Sequence, residues 1–181
     1  VYSIEPTDFA YKKLKINTQL NVNLNKLITK DQIFLSKIKS KKKKFAYASW
    51  PLVKNKKDIH PSLMAEKKGI NKAKFLSLDK YIKERKITKL NMVKIDVDGN
   101  EYDVLKGGPN TIKKFKPIII FEFCPYLHTD KHLNSILYFF KKLNYKFIDI
   151  SSLKNLDLKN SKELRKYIKH GSGKNFLLTP K

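Results

Sequence analysis

The sequence predicts an α/β protein built on a doubly wound, mostly parallel sheet with helices packed against it. Three observations carry that expectation. Strand-like and helix-like segments alternate about every 30 residues, the spacing of a strand–helix–strand unit. Ile118, Ile119, Ile120 and Phe121 follow one another without alternation, as in a strand buried on both faces. Leu133, Ile136, Leu137 and Phe140 then recur at helical spacing.

The elements read in order. Residues 1–4 form a short β-prone run that ends in Glu5-Pro6. A helix is expected over 8–20, opened by Pro6 and Thr7, with Ala10, Tyr11, Leu14 and Thr18 on one face. After the polar break 21–25, the segment 27–35 is a weaker strand, because Lys30, Asp31 and Gln32 interrupt its apolar residues. A lysine turn at 41–44 precedes a strand at 45–49, and 50–72 reads as a long loop. Long loops of this kind often carry function, so Trp50 and His60 are candidates to line a substrate pocket. Beyond it come a strand at 75–78 and a helix at 79–86 capped by Ser77 or Asp79, then a strand at 90–97. The helical pattern at 101–115 either runs through or breaks in two at Gly107-Gly108-Pro109, with Pro109 opening the second piece. Strand 117–123, helix 131–143, strand 145–150, helix 161–169 and strand 175–179 complete the chain, and there is no internal repeat.

Length and composition bound the function. With 181 residues, 41% hydrophobic and 31% charged, the chain is expected to be one globular domain rather than a disordered segment. No apolar run approaches the roughly 20 residues of a membrane span, and the first residues carry no secretory signal. A single cysteine, Cys124, excludes an internal disulfide and a cysteine-based zinc site, which suits a reducing, cytoplasmic setting. The net charge of +24 has two readings. One is an anionic partner. The other is a codon pool rich in A and T, since Ile and Asn are also abundant and only Arg85 and Arg165 among the 40 basic residues are arginines.

The acids are more informative than the lysines. Ligands of open α/β sheets bind beyond the carboxyl ends of the strands, and those ends carry Glu5, Asp96 with Asp98, and Glu122, with Glu101 in the next helical turn. Any one of these acids also suits a helix cap or a dipole partner. Glu5 stands where the second strand of a dinucleotide-binding half places a ribose-binding acid, with its glycine-rich turn then upstream of Val1. Gly99 permits a sharp strand-to-helix turn. No calcium-loop spacing is present and His60, His128, His132 and His170 have no metal-ligand spacing, so no metal is expected. Cys124 reads as a small packed hydrophobe, and Gly171-Ser172-Gly173 lacks the spacing of a phosphate loop.

The run Val93-Lys94-Ile95-Asp96-Val97-Asp98-Gly99-Asn100-Glu101, continued by Tyr102-Asp103-Val104-Leu105-Lys106-Gly107, resembles the signature of FkbM-type methyltransferases, K-I-D-V-E-G-x-E-x-x-V-L-x-G. Ile4-Glu5-Pro6 resembles the family's second-strand E-P motif and Ser77-Leu78-Asp79 its T-L-D. Lys116-Pro117 to Phe121-Glu122 resembles its R-P-x-I-x-x-E, and residues 173–180 its closing strand. The resemblance implies a Rossmann-like class I fold and S-adenosylmethionine as the donor of a methyl group to a hydroxyl oxygen on a small molecule or glycan. It implies that Glu5 holds the cofactor ribose, that Phe34 lies near adenine in the loop after the third strand, and that Asp96 faces both the methyl group and the acceptor. Asp96 and Glu101 are the expected catalytic residues, with Asp96 taking the hydroxyl proton. Asp98 departs from the family's Glu by one methylene. The first strand and glycine-rich loop fall outside the sequence, so the chain reads as N-terminally truncated and is expected to bind cofactor weakly or not at all. The competing readings are a basic nucleic-acid-binding module and an inactive homologue. The first is disfavoured because arginine clusters, RNA-binding aromatic motifs and zinc fingers are missing.

Overall fold

The computed structural model describes residues 1–37, 44–48 and 66–181; the expected loop residues Trp50 and His60 lie outside them. The chain groups into two compact units, Val1–Ser77 and Leu78–Lys181.

In the first unit, β1 (Tyr2–Ile4) leads into α1 (Asp8–Gln19), a single turn α2 (Val22–Asn25), β2 (Thr29–Asp31) and β3 (Ile33–Leu35). Thr7 caps α1, its hydroxyl accepting from the Ala10 amide at 3.4 Å. β1 pairs in parallel with β2. The strand expected over 27–35 is therefore two pieces. They break at Gln32, whose side-chain amide donates to Asp8 Oδ1 at 2.7 Å. β3 pairs in parallel with β6 (Lys74–Leu76). β4 (Phe45–Ala48) pairs antiparallel with β5 (Glu66–Gly69), which falls inside the stretch expected to be loop. Glu66-Lys67-Lys68-Gly69 has no apolar alternation, so only backbone pairing makes it a strand. Phe34, Ala46 and Ile70 form a small core, with Ala73 and Phe75 packed on it.

The second unit runs α3 (Leu78–Glu84), β7 (Met92–Ile95), α4 (Glu101–Lys106), α5 (Pro109–Phe115), β8 (Ile118–Phe123) and a 3-10 turn (Pro125–Leu127). It continues with α6 (Asp130–Lys142), β9 (Tyr145–Asp149), β10 (Asn155–Leu156), α7 (Ser161–Tyr167) and β11 (Lys174–Pro180). The sheet order is β10-β9-β11-β8-β7. Only β7 and β8 pair in parallel. β11 runs antiparallel to both β8 and β9, and β10 antiparallel to β9. The expected mostly parallel sheet is thus mixed in this unit. The crossover from β8 through α6 to β9 leaves a one-strand gap, and the chain re-enters that gap from the opposite end after α7. Hydrophobic periodicity carries no strand direction, so the sequence could not report it.

The helical pattern at 101–115 breaks in two because Gly108 lies against α3. A Cβ there would sit 2.6 Å from Leu78 Cδ2. Asp79, expected as a cap for its own helix, instead caps α5. Its Oδ1 accepts from the Thr111 amide and hydroxyl, both at 2.7 Å, and its Oδ2 from the Asn110 side chain at 2.9 Å. The stripe Leu133, Ile136, Leu137 and Phe140 is buried as its spacing predicts. Phe140 packs edge-on against Phe121, Tyr145 and Phe147. β8 does not have two equally buried faces. Ile119, Phe121 and Phe123 are enclosed, whereas Ile118 is 38% exposed.

Candidate functional site

The carboxyl ends of β7 and β8 meet in register. Ile95 lies opposite Phe121, so the residues that follow, Asp96 and Glu122, are neighbours at the rim. Two carboxyl groups this close disfavour ionisation of both at once. Burial first, and then the Asp96 charge, pushes the Glu122 carboxyl from 4.5 up to about 7. Lys94 Nζ sits 2.5 Å from Asp96 Oδ2, offsetting part of that negative charge. Cys124 lies nearby, its thiol pushed well up by burial and by the neighbouring carboxylates. Gly173, next to β11, leaves the space these groups occupy. A Cβ there would lie 2.5 Å from Cys124 Sγ and 2.6 Å from Glu122 Oε1.

Between β7 and α4 the backbone folds into a tight turn. Asp98 and Gly99 take positive φ angles of 47° and 91°, and the Asn100 side chain donates to the Val97 carbonyl at 3.0 Å. Glu101 stands beneath this turn, 0% exposed. Its Oε1 accepts from the Val97 and Gly99 amides at 3.1 and 3.2 Å, and its Oε2 lies 2.9 Å from His128 Nε2. Glu101, expected among the catalytic residues and at the rim, is thus enclosed with both oxygens engaged, an arrangement that holds the turn. Asp96 is solvent-accessible.

Glu5 follows β1 in the first unit, its backbone amide donating to the Asp31 carbonyl at 3.1 Å. The Thr7 amide and hydroxyl donate to its Oε1 at 2.8 and 2.6 Å. Among the described residues Oε2 has no hydrogen-bond partner, and a hollow of about 320 Å³ lined by Glu5, Ala10 and Leu14 opens beside it. Phe34, expected in the loop after the third strand, is placed otherwise. It lies within β3 rather than in a loop, is 4% exposed, and stacks on Phe75 with ring centroids 5.2 Å apart. An apolar residue at the middle of a paired strand packs into the nearest core.

Sequence reasoning gave no role to Glu122, His128 or Gly173. Glu122 was visible as an acid at a strand end; the other two become legible only through partners far along the chain. Among the described residues no group of three or more His, Cys, Asp or Glu side chains is placed to hold a metal ion. No described helix is long and apolar enough to cross a membrane.

These features define an α/β protein whose parallel strands end in clustered acids, the edge where such sheets bind ligands. The chain belongs to the FkbM methyltransferase family: the methyltransferase FkbM domain matches residues 1–147. Among solved structures, the fold is similar to that of a methyltransferase FkbM from Methylobacillus flagellatus KT, with a TM-score of 0.53 and 14% identity. That match covers 99% of this chain and 36% of the other, so the chain spans about a third of its neighbour's length. No curated protein is similar enough to count as a relative.

Proposed function

We propose that the chain is the methyl-transfer domain of an S-adenosylmethionine-dependent O-methyltransferase with a Rossmann-like class I fold, acting on a hydroxyl of a small molecule or glycan. The observation that carries this reading is the Asp96–Glu122 pair at the carboxyl ends of β7 and β8, set in a chain of the FkbM methyltransferase family. A β11 inserted antiparallel between two strands that run parallel to each other agrees with the class I assignment.

The residues present fit the cofactor at one point. Glu5 is held on one oxygen by Thr7 and offers the other to ribose hydroxyls, which donate to a carboxylate. When bound, S-adenosylmethionine supplies a methyl group on a positively charged sulfur. At the rim, Asp96 takes the proton leaving the acceptor hydroxyl, with the Glu122 carboxyl beside it. A carboxyl held near 7 exchanges protons readily at neutral pH. Clustered carboxylates repel a polyanion, which favours an uncharged hydroxylated acceptor over nucleic acid.

Calorimetric titration with S-adenosylmethionine tests the reading on this chain and on any longer product of its gene. Glu5→Gln should weaken binding by about 1–3 kcal/mol, the scale of hydrogen bonds to a charged group. Equal affinity in Glu5→Gln, or no binding in either form, rejects the assignment.

A further inference from the structure

We infer that His128, clamped by Arg165, is a positioning residue that fixes Glu101 and, through it, the turn at 97–100 carrying the acidic rim. The link from this turn to methyl transfer rests on the function proposed above; the clamp itself does not.

Hydrogen bonds lead outward from the turn to His128 and Arg165. A turn with two consecutive residues at positive φ is not the backbone's preferred path, and Asp98 has a side chain that makes the left-handed region less favourable still. Glu101 holds it by accepting the Val97 and Gly99 amides on one oxygen. Its second oxygen is as buried as the first, and the donor that reaches it is the Nε2–H of His128, itself only 3% exposed. A buried carboxylate oxygen without a donor is costly, so His128 decides whether Glu101 stays in place.

His128 is held in turn. Arg165, on α7, donates from NH2 to the His128 carbonyl and from NH1 to the Pro125 carbonyl, each at 2.8 Å, and from Nε to Asp130 Oδ1 at 2.8 Å. Three donors in a rigid plane tie both sides of the segment bearing His128. A lysine offers one nitrogen on a flexible stem and cannot span these acceptors. The basic residues of this chain are overwhelmingly lysine, so arginine at this position follows the geometry of the clamp rather than the general composition. Tyr102, beside Glu101 on α4, stacks on His132 of α6 at 4.5 Å between ring centroids, bracing the same pair of helices.

Amide hydrogen exchange on the 15N-labelled chain tests the clamp, with His128→Leu, His128→Gln and Arg165→Lys compared. In His128→Leu and Arg165→Lys the Val97 and Gly99 amides should exchange at least about tenfold faster while amides of β8 and β9 keep their rates. His128→Gln retains an N–H donor and should recover part of the protection. Acceleration of all amides together would mean a loss of global stability only, and unchanged Val97 and Gly99 rates would mean no clamp; either overturns the inference. None of these readouts needs cofactor or acceptor, so they stand apart from failure of the proposed methyl transfer. In a form that turns over, His128→Leu should lower kcat more than it weakens cofactor affinity. Unchanged kcat with faster exchange would remove the turn from the catalytic site.

Discussion

Replacing Glu122 with Gln should make the protein more stable at pH 8 and leave its stability nearly unchanged near pH 4.5. In the folded chain burial and the Asp96 charge raise the Glu122 carboxyl from 4.5 to about 7. Folding therefore favours the protonated form. The stability linked to this group is fully present below about 4.5 and is lost as pH rises through about 7, because the native state then gives up a proton it binds more tightly than the unfolded chain. The rise corresponds to a few kcal/mol, at roughly 1.4 kcal/mol per tenfold change in proton affinity. Glu122 is only half-buried, so solvent screening brings the expected effect to about 1–2 kcal/mol. Glutamine has the shape of the protonated acid and keeps a donor for Asp96, but it cannot ionise. At pH 8 its melting temperature should exceed that of the wild type by roughly 3–6 °C. Circular-dichroism melts across pH 4.5–8 measure the gap. A gap that stays constant with pH, or a variant less stable at pH 8, would refute the raised proton affinity of Glu122.

Other expectations follow from the same contacts. Asp79→Ala removes the acceptor for the first turn of α5 and should cost about 1–2 kcal/mol in urea unfolding. Gly173→Ala should force Glu122 and Cys124 apart, costing about 1–3 kcal/mol, and should shift the Glu122 titration seen by carboxyl 13C NMR. Asp149 is held well below the usual carboxylate range, first by Lys174, then by Tyr167 and Ser151. Its contribution is present above its ordinary 3.8 and lost as pH falls below it. Asp149→Asn should therefore destabilise the protein at pH 7 and progressively less in acid, as acid titration followed by circular dichroism would show. Phe140→Ala should cost about 3–5 kcal/mol by opening a cavity among Phe121, Tyr145 and Phe147.

Features that depend on near neighbours could be read before the structure. The stripe from Leu133 to Phe140 marked a helix and its buried face, because helical spacing of apolar residues has few other outcomes. Gly107-Gly108-Pro109 signalled the break between α4 and α5, although the reason, contact with Leu78, was not visible. β5 and β10 lacked any apolar pattern and exist as strands through backbone pairing alone. Phe34 was expected in a loop because Lys30, Asp31 and Gln32 obscure where β3 begins, and its packing on Phe75 comes from a distant strand.

By itself the sequence determined the α/β class, the placement of acids after the strands, and the family signature around Asp96 and Glu101. These are local patterns, and each residue's part in them is set by its neighbours within a turn or two. The tertiary structure decided what surrounds each acid. It set Asp96 beside Glu122 by aligning two strands, and enclosed Glu101 under a histidine 27 residues away. It also turned β11 against its neighbours. A carboxylate's proton affinity and reach depend on the burial, charge and donors around it, and here those are supplied by residues far apart in the chain.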